Sequence, residues 1–496
     1  MRRWYYIWFI ALCVILQSAA YDSPQDFSND APRTVLLYAE NVSDETMQQI
    51  RDLGITIISW VRNNLYIIVT EAERDLLHER SLEFDEVMKS DDELTLYKRA
   101  MYGEKMKLTD VYHTYDQIID IVDDLIQQYP DLISKEVIGQ TQQGNRDIHA
   151  VKVSNKVGED LDRPVILFTG ATHSRELVTP EICLELIKQL VTGYGTDERI
   201  TGWLEFYEIY FIPVVNVDGH FIVTNNIDPR WRKNARDATD DWITAEYPKG
   251  IDLNRNYDFN FARGGSGDPE SIRYRGEYPF SESEARAVRS LVERIRPVLS
   301  INYHSQGEVI FYPWIWRDMN APDDKLLTEI AQGIADQITT IDGEGTYDIA
   351  YGAGLVGQSY PWLYGRYGTF DFIVETGRGA HVFPGEEVRG IVEANIPGAF
   401  YLLDRGKGPG LTGRVTDAGT GEALDAIVWF PTIETEEVDR RTTKPATGRY
   451  HRLLAPGTYY MIVKREGYET KVIPDAEVHE GAWTELNIQL RKKTQN

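Results

Sequence analysis

Residues 165–186 read VILFTGATHSRELVTPEICLEL, and this stretch decides the fold. An apolar run ends at Gly170. A loop then crowds His173, Arg175 and Glu176 into four positions, and a helix-like pattern follows, with Thr179 the expected N-cap and Pro180 in the first turn. Buried strand, loop and helix in succession are the unit of an α/β sheet, in which ligands bind beyond the carboxyl ends of the strands. The loop residues are therefore candidates for chemistry.

Two other strand-like runs end the same way. PVLSINYH delivers His304 and FDFIVETG delivers Glu375, each straight after a β-rich segment. Taken alone, His173-x-x-Glu176 is a weak signal, and a single strand-end histidine or acid is more often structural. Together, two histidines and a carboxylate make a zinc site of three protein ligands with an open fourth position, and a further carboxylate nearby can act as a base.

Working outward, residues 107–404 alternate helices such as YDQIIDIVDDLIQQY with buried strands, as expected of an α/β domain covered on both faces. Residues 33–88 carry two amphipathic segments among four β-rich runs, which predicts a small βαββαβ unit with Ser43 as an N-cap. The polar stretch 89–106, with Lys98-Arg99, is expected to be an exposed linker that a protease could cut. Beyond the glycine-rich turn at 406–410, residues 411–492 are short strands punctuated by Gly and Pro, the pattern of a β-sandwich.

At 496 residues the chain is long enough for several domains, and a net charge of -26 argues against nucleic acid or anionic lipid as a partner. Arg2-Arg3, a 13-residue apolar run from Trp4 to Leu16 and the small residues Ser18-Ala19-Ala20 form a secretory signal peptide over 1–20, since the run falls short of the roughly 20 residues a membrane span needs. No later segment is long and apolar enough to span a bilayer. A secreted chain is expected, extracellular, or periplasmic in a Gram-negative source. Once the signal is removed Cys183 is the only cysteine, so stability rests on the core or a metal and not on disulfides.

Seven motifs in order, HSRE at 173–176, NVDG at 216–219, RWRKNAR at 230–236, DLNRN at 252–256, YRG with PFSE at 274–282, HSQGEVIFYPW at 304–314 and ETG at 375–377, resemble the zinc metallocarboxypeptidases of the carboxypeptidase A/B type, including the bacterial carboxypeptidase T-like members. The resemblance covers about 300 residues. It implies a mixed central sheet flanked by helices, one Zn2+ per catalytic domain, and hydrolysis of the C-terminal peptide bond of peptides or proteins. His173, Glu176 and His304 match the metal ligands and Glu375 the general base, while Arg232 matches the group that polarises the scissile carbonyl. Asn254 and Arg255 match the clamp on the substrate carboxylate, Arg175 and Tyr351 accessory contacts, and Asp252 the acid that orients a ligand histidine. A planar guanidinium with two parallel N–H bonds suits a terminal carboxylate better than lysine does.

The segment after Tyr351, GAGLVGQSYPWLYGRYG, lines the terminal-residue pocket in that family and here holds no acid, which predicts a preference for neutral, apolar or aromatic ends. The region 33–88 stands where zymogens of the family carry a propeptide; a masking role and a permanent accessory role are both open. The tail resembles the transthyretin-like, regulatory-like sandwich that accompanies some carboxypeptidases, with packing or surface attachment as its roles. Two other functions fit parts of the pattern, a zinc amidohydrolase acting on cell-wall peptides or acylated amino acids, and a non-catalytic peptide-binding homologue. Asn254 and Arg255 together with Arg232 and Tyr351 speak for an ordinary peptide substrate against the first, and intact Glu375, Arg232 and all three ligands argue against the second.

Overall fold

The computed structural model describes residues 34–39, 42–43, 46–47, 49–50, 53, 55–61, 64–80, 82, 84–89, 108–225, 227–228, 230–236, 250–316, 319–353, 357–383 and 385–493. The expected signal peptide and the Lys98-Arg99 region lie outside them. Among the described residues no helix is long and apolar enough to cross a membrane.

The N-terminal part is an antiparallel sheet of β1 (Thr34–Ala39), β2 (Thr56–Val61), β3 (Asn64–Thr70) and β4 (Asp85–Lys89), in the order β2-β3-β1-β4, with helix α1 (Glu71–Glu79) leading out of β3. Its own small core includes Leu37, Met47, Ile50, Ile67, Val69 and Leu77. Ser43 Oγ accepts from the amide of Thr46 at 3.1 Å, the bond expected of an N-cap.

The central part is one mixed sheet. Its strands are β5 (Ile133–Gln140), β6 (Asp147–Val153), β7 (Val165–Thr169), β8 (Glu208–Ile212), β9 (Leu299–His304), β10 (Val309–Trp316), β11 (Met319–Asn320), β12 (Asp348–Ala353) and β13 (Phe370–Glu375), in the order β11-β10-β13-β9-β7-β8-β6-β5 with β12 beside β10. Helices α2 (Tyr115–Gln128), α3 (Val178–Gly193), α4 (Glu198–Phe206), α5 (Val217–Thr224), α6 (Ser283–Ile295), α7 (Asp324–Ala335) and α8 (Gly385–Arg405) flank it. Helix α2 shows how such a helix is fixed: Thr114 and Gln117 form a capping box, and Ile118, Val122 and Leu125 are its buried stripe.

β13, β9, β7 and β8 run parallel, so their carboxyl ends share one edge. Every residue of β7, β8 and β9 is buried, as in a sheet covered on both sides. Alternation along β9 nevertheless sorts the faces. Leu299, Ile301 and Tyr303 share one face and Ser300, Asn302 and His304 the other, opposite Asp371, Ile373 and Glu375 on β13. A largely polar column thus descends inside the sheet from the two residues at its top.

The C-terminal part carries two sheets. One is built of β14 (Gly410–Asp417), β16 (Arg449–Leu453), β19 (Trp483–Glu485) and β20 (Ile488–Leu490), the other of β15 (Ile427–Trp429), β17 (Gly457–Lys464) and β18 (Lys471–Val478). Leu411, Val415, Val428, Phe430, Met461, Val463 and Ile488 fill the space between them.

Candidate active site

The carboxyl edge of the parallel strands is where the expected residues meet. His173 and Glu176 come from the loop after β7, His304 ends β9 and Glu375 ends β13 beside it. Glu176 Oε1 lies 2.8 Å from His173 Nδ1, Glu176 Oε2 lies 2.9 Å from His304 Nδ1, and the two Nδ1 atoms are 3.0 Å apart. Donors on a tetrahedral ion with bonds of about 2.0–2.1 Å lie roughly 3.3 Å from one another, close to what is seen. Two imidazole nitrogens and a carboxylate facing one point cannot all satisfy each other by hydrogen bonds. This buried His–Glu–His set therefore fits a zinc ion and is a candidate metal centre.

Asp252 is wholly buried and serves two neighbours. It lies 3.1 Å from His173 Nε2, on the ring edge opposite the metal-facing nitrogen, and accepts from Arg232 Nη2 at 3.1 Å and Nε at 3.3 Å. A carboxylate on the far nitrogen fixes the tautomer and the ring plane of a ligand histidine. Arg232 is thereby tied in place with Nη1 3.7 Å from Glu176 Oε1. Asn254 carries its Nδ2 3.5 Å from His304 Nε2, and its Oδ1 accepts from the amide of Ser359 at 3.0 Å. Arg255 donates to the carbonyl of Asn254 at 2.7 Å.

The electrostatics follow from this geometry. Burial would raise Asp252 and Glu176, but Arg232 and Arg255 hold Asp252, and His173 and His304 hold Glu176, well below the usual carboxylate range. Burial and then Arg232 depress His173, which favours the neutral imidazole a metal requires. Burial also works against a charged His304, yet Glu176 outweighs it and the shift is upward. Glu375 is pushed up to about 7 by burial, against the lowering pull of His304, Arg232 and Arg255. Gly307 allows that carboxylate its position, because a Cβ there would fall 2.3 Å from the Cβ of Glu375.

Of the ten residues singled out by sequence, Tyr351 stands apart. On β12, its ring rests on Tyr312 with centroids 4.8 Å apart, and Asp324, Tyr312 and Thr328 surround its hydroxyl. Arg175 is buried beside His381. The expected N-cap is corrected. The helix begins at Val178, so Thr179 sits inside its first turn, where its hydroxyl donates to the carbonyl of Glu176 and accepts from the amide of Ala171, both at 2.8 Å. Ala171 takes a left-handed backbone (φ 44°), and the hydroxyl is spent on closing that loop instead of capping the helix.

Four further residues belong to the surroundings. Arg273 is pushed down to about 10 by burial and by its neighbours Arg255 and Arg232. His381 is buried near Arg175, Glu176 and Arg232, with Nδ1 2.9 Å from the carbonyl of Ser305. Asn302 donates to Ser359 Oγ at 2.9 Å. Asp371, below Ile373 on the same face, is wholly buried. Asn302 and Asp371 had a signal in the sequence, lying two and four residues before His304 and Glu375 on strands of period two. Arg273 and His381 come from irregular chain and had none.

Comparison with known proteins follows the same outline. Residues 118–397 match the family model described as zinc carboxypeptidase, and residues 410–491 match the carboxypeptidase regulatory-like domain. Carboxypeptidase A1 of Rattus norvegicus is 32% identical over 305 residues, 59% of this chain and 70% of that protein. Carboxypeptidase B of Bos taurus is 28% identical over 350 residues, 67% and 80% of the two chains. Among solved structures, carboxypeptidase A from Helicoverpa armigera aligns with a TM-score of 0.55 at 20% identity, covering 74% of this chain and 95% of that one. Thrombin activatable fibrinolysis inhibitor aligns at 0.54 and 21%, covering 75% and 98%. Both likenesses concern the fold.

Proposed function

Since this chain belongs to the zinc carboxypeptidase family and is a metallocarboxypeptidase, a hydrolase, we propose that it removes C-terminal residues from peptides or proteins with one Zn2+ held by His173, Glu176 and His304. The observation that carries the reading is the mutual facing of three metal-ligand side chains, with the Glu375 carboxylate and the Arg232 and Arg255 guanidinium groups close enough to feel their charges or one another's. When bound, the zinc ion supplies a Lewis acid that polarises the scissile carbonyl and lowers the pKa of water towards about 7.

The chain's own residues do the rest. Arg255, with Asn254, grips the free carboxylate of the substrate, which only a chain end presents, and so selects an exopeptidase cut. Arg232, locked by Asp252, turns its remaining N–H groups towards the carbonyl oxygen and stabilises the charge that develops there. Glu375, ending β13 beside His304, takes a proton from the attacking water and returns it to the leaving amine. Arg175 and Tyr351 are accessory contacts, and Tyr351 would have to leave Tyr312 to act as one.

The terminal side chain enters beside Ser359 and Tyr360, where the segment 357–367 offers no acid, which supports neutral, apolar or aromatic ends. The protein is secreted in this reading, and its N-terminal part covers the site until the chain is cut near Lys98-Arg99. The decisive experiment is incubation of the purified protein with a defined peptide. Stepwise, chelator-sensitive release of C-terminal amino acids is expected, fastest from Phe or Leu ends. Release of internal fragments only would overturn the assignment, and fastest release of Lys would overturn the preference. Unchanged activity after limited proteolysis would make the N-terminal part a permanent accessory.

A further inference from the structure

The regulatory-like part does not simply hang from the end of α8. Its seam with the catalytic part includes two sets of polar contacts, and one of them is made to the chain that leads from the proposed substrate pocket to the strand of the proposed general base.

That chain runs from Ser359 to Gly368. Ser359–Trp362 form one helical turn and Leu363–Tyr367 continue it as a π-helical turn, a geometry seen often where a helix is shaped for a site. Its front end meets the proposed chain-end clamp: the Ser359 amide donates to Asn254 Oδ1 at 3.0 Å, and Tyr360 is buried close to Arg255. Its back end passes through Gly368 and Thr369 into β13, which ends in Glu375. A wide turn of this kind leaves carbonyls short of helical partners. The carbonyl of Gly365 receives two donors from the C-terminal part, the amide of Asp439 at 2.8 Å and Arg441 Nη1 at 3.0 Å.

Three further contacts fix the same turn. The Arg441 guanidinium lies over the Tyr364 ring, 5.2 Å from its centroid. Tyr364 Oη donates to Asp323 Oδ2 at 2.7 Å, and Arg452 Nη2 grips that carboxylate at 2.7 and 2.9 Å. Arg366 bridges Asp439 at 2.8 Å and Asp258 at 3.3 Å. Gly368 has φ +75°, and a Cβ there would fall 2.5 Å from Arg441 Nε, so the chain is threaded closely past this arginine. The second set, further along the same seam, involves none of residues 359–368. There Asp162 takes Arg414 at 2.9 Å, Arg449 at 3.1 Å and the Thr447 hydroxyl at 2.8 Å.

We propose that the C-terminal sandwich positions the substrate pocket: Arg441 through Gly365, and Arg452 through Asp323 and Tyr364, hold the 359–367 turn so that Ser359 and Tyr360 stand correctly against Asn254 and Arg255. Arg441 and Arg452 are positioning residues, acting through the turn and not on the substrate. The inference rests on the reading of Asn254 and Arg255 as the chain-end clamp. It assigns the sandwich a part in substrate recognition, which a mere packing role does not contain.

The test compares full-length variants at the two contact places. Arg441→Met and Arg452→Met are expected to raise KM for a peptide with a free C-terminus about tenfold while kcat stays within about twofold, because the base and the metal ligands are untouched. Arg449→Met, which loosens the other contact, is expected to lower Tm without moving KM. Should Arg441→Met fail to fold, Arg441→Lys keeps the charge, loses the planar reach to Gly365 and carries the same expectation. KM unchanged in the first two variants, or raised equally in all three, overturns the proposal. Arg255→Ala separates this outcome from failure of the underlying reading, since an unaffected KM in that variant would remove the clamp itself.

Discussion

Two of the buried charge clusters among the described residues are built on opposite rules. At the seam between the catalytic and C-terminal parts, Arg452, Asp323 and Tyr364 satisfy one another directly at 2.7–2.9 Å, with Arg441 and Glu434 alongside. At the carboxyl edge of the sheet, His173, Glu176 and His304 turn three electron-pair donors towards one another, with Arg255 and Glu375 close by and Arg232 paired to Asp252. The central carboxylate of the first cluster is bonded from both sides; the second, in the reading proposed above, is completed by a cation and a substrate. Both are buried, so the difference lies at the centre. The seam bonds Asp323 directly to Arg452 and Tyr364, although Arg441 Nε and Nη2, Arg452 Nε and both Glu434 carboxylate oxygens have no hydrogen-bond partner among the described residues, whereas at the site three ligand atoms face one another.

The largest effect that sharpens this contrast is expected at the proposed general base. Glu375→Gln keeps the shape and the metal ligands, so zinc content should stay at one per chain while kcat falls by about 10³- to 10⁴-fold, the upper range for loss of a positioned base. Metal analysis beside steady-state kinetics checks both halves, and substantial residual turnover would take Glu375 out of that role. At the seam the same kind of change should act on stability. Arg452→Met leaves the Asp323 carboxylate buried without its partner, and denaturant unfolding should show a loss of about 3–5 kcal/mol. Converting Asp323 to Leu in that background should recover much of it, since a buried ion pair can be replaced by apolar packing. No such rescue is expected between Asp252 and Arg232, which must also orient His173.

Asp371 belongs to neither cluster and tests the premise they share, that burial without a partner moves a charge. It sits two layers below Glu375, wholly buried, and burial pushes its carboxyl up to about 7 from a usual value near 3.8. A raised acid holds its proton longer in the native state, so stability is unaffected below about pH 4, declines as pH rises towards 7 and is flat above. Asp371→Asn stays neutral throughout. Its melting temperature relative to the wild type should therefore climb between pH 4 and 7 and then level off, with an advantage of up to a few kcal/mol at pH 8. A difference that does not vary with pH would mean that Asp371 is paired after all.

What could be read from the chain divides along the same line. His304 and Glu375 were legible because each breaks an apolar run at the last residue of a strand, and period two even marks Asn302 and Asp371 beneath them. The mixed sheet and its flanking helices followed from the alternation of strands and helices together with the family likeness. The seam was not legible. Arg452 and Asp323 are 129 positions apart, lie in parts of different architecture and sit in no motif, so only the folded chain brings them together. Thr179 shows the same limit on a small scale. Its composition-based role as a cap gave way to a tertiary demand, the closing of the loop that carries His173 and Glu176.

The smallest expected effect isolates burial from distance. Arg389 and Glu393 on α8 meet at 2.7 Å, the same length as the Arg452–Asp323 contact, but their side chains are 84% and 61% exposed against 5% and 4% at the seam. Water screens the exposed pair and the two long side chains lose rotamer freedom in meeting, so the contact gains little. Arg389→Ala should leave the melting temperature unchanged within error in the buffer where Arg452→Met produces its full loss. Raising the salt concentration should not separate Arg389→Ala from the wild type, because there is almost nothing to screen. A clear drop for Arg389→Ala would show that hydrogen-bond length, and not removal from water, sets what an ion pair is worth in this fold, and the distinction drawn between the two buried clusters and the rest of the surface would have to be abandoned.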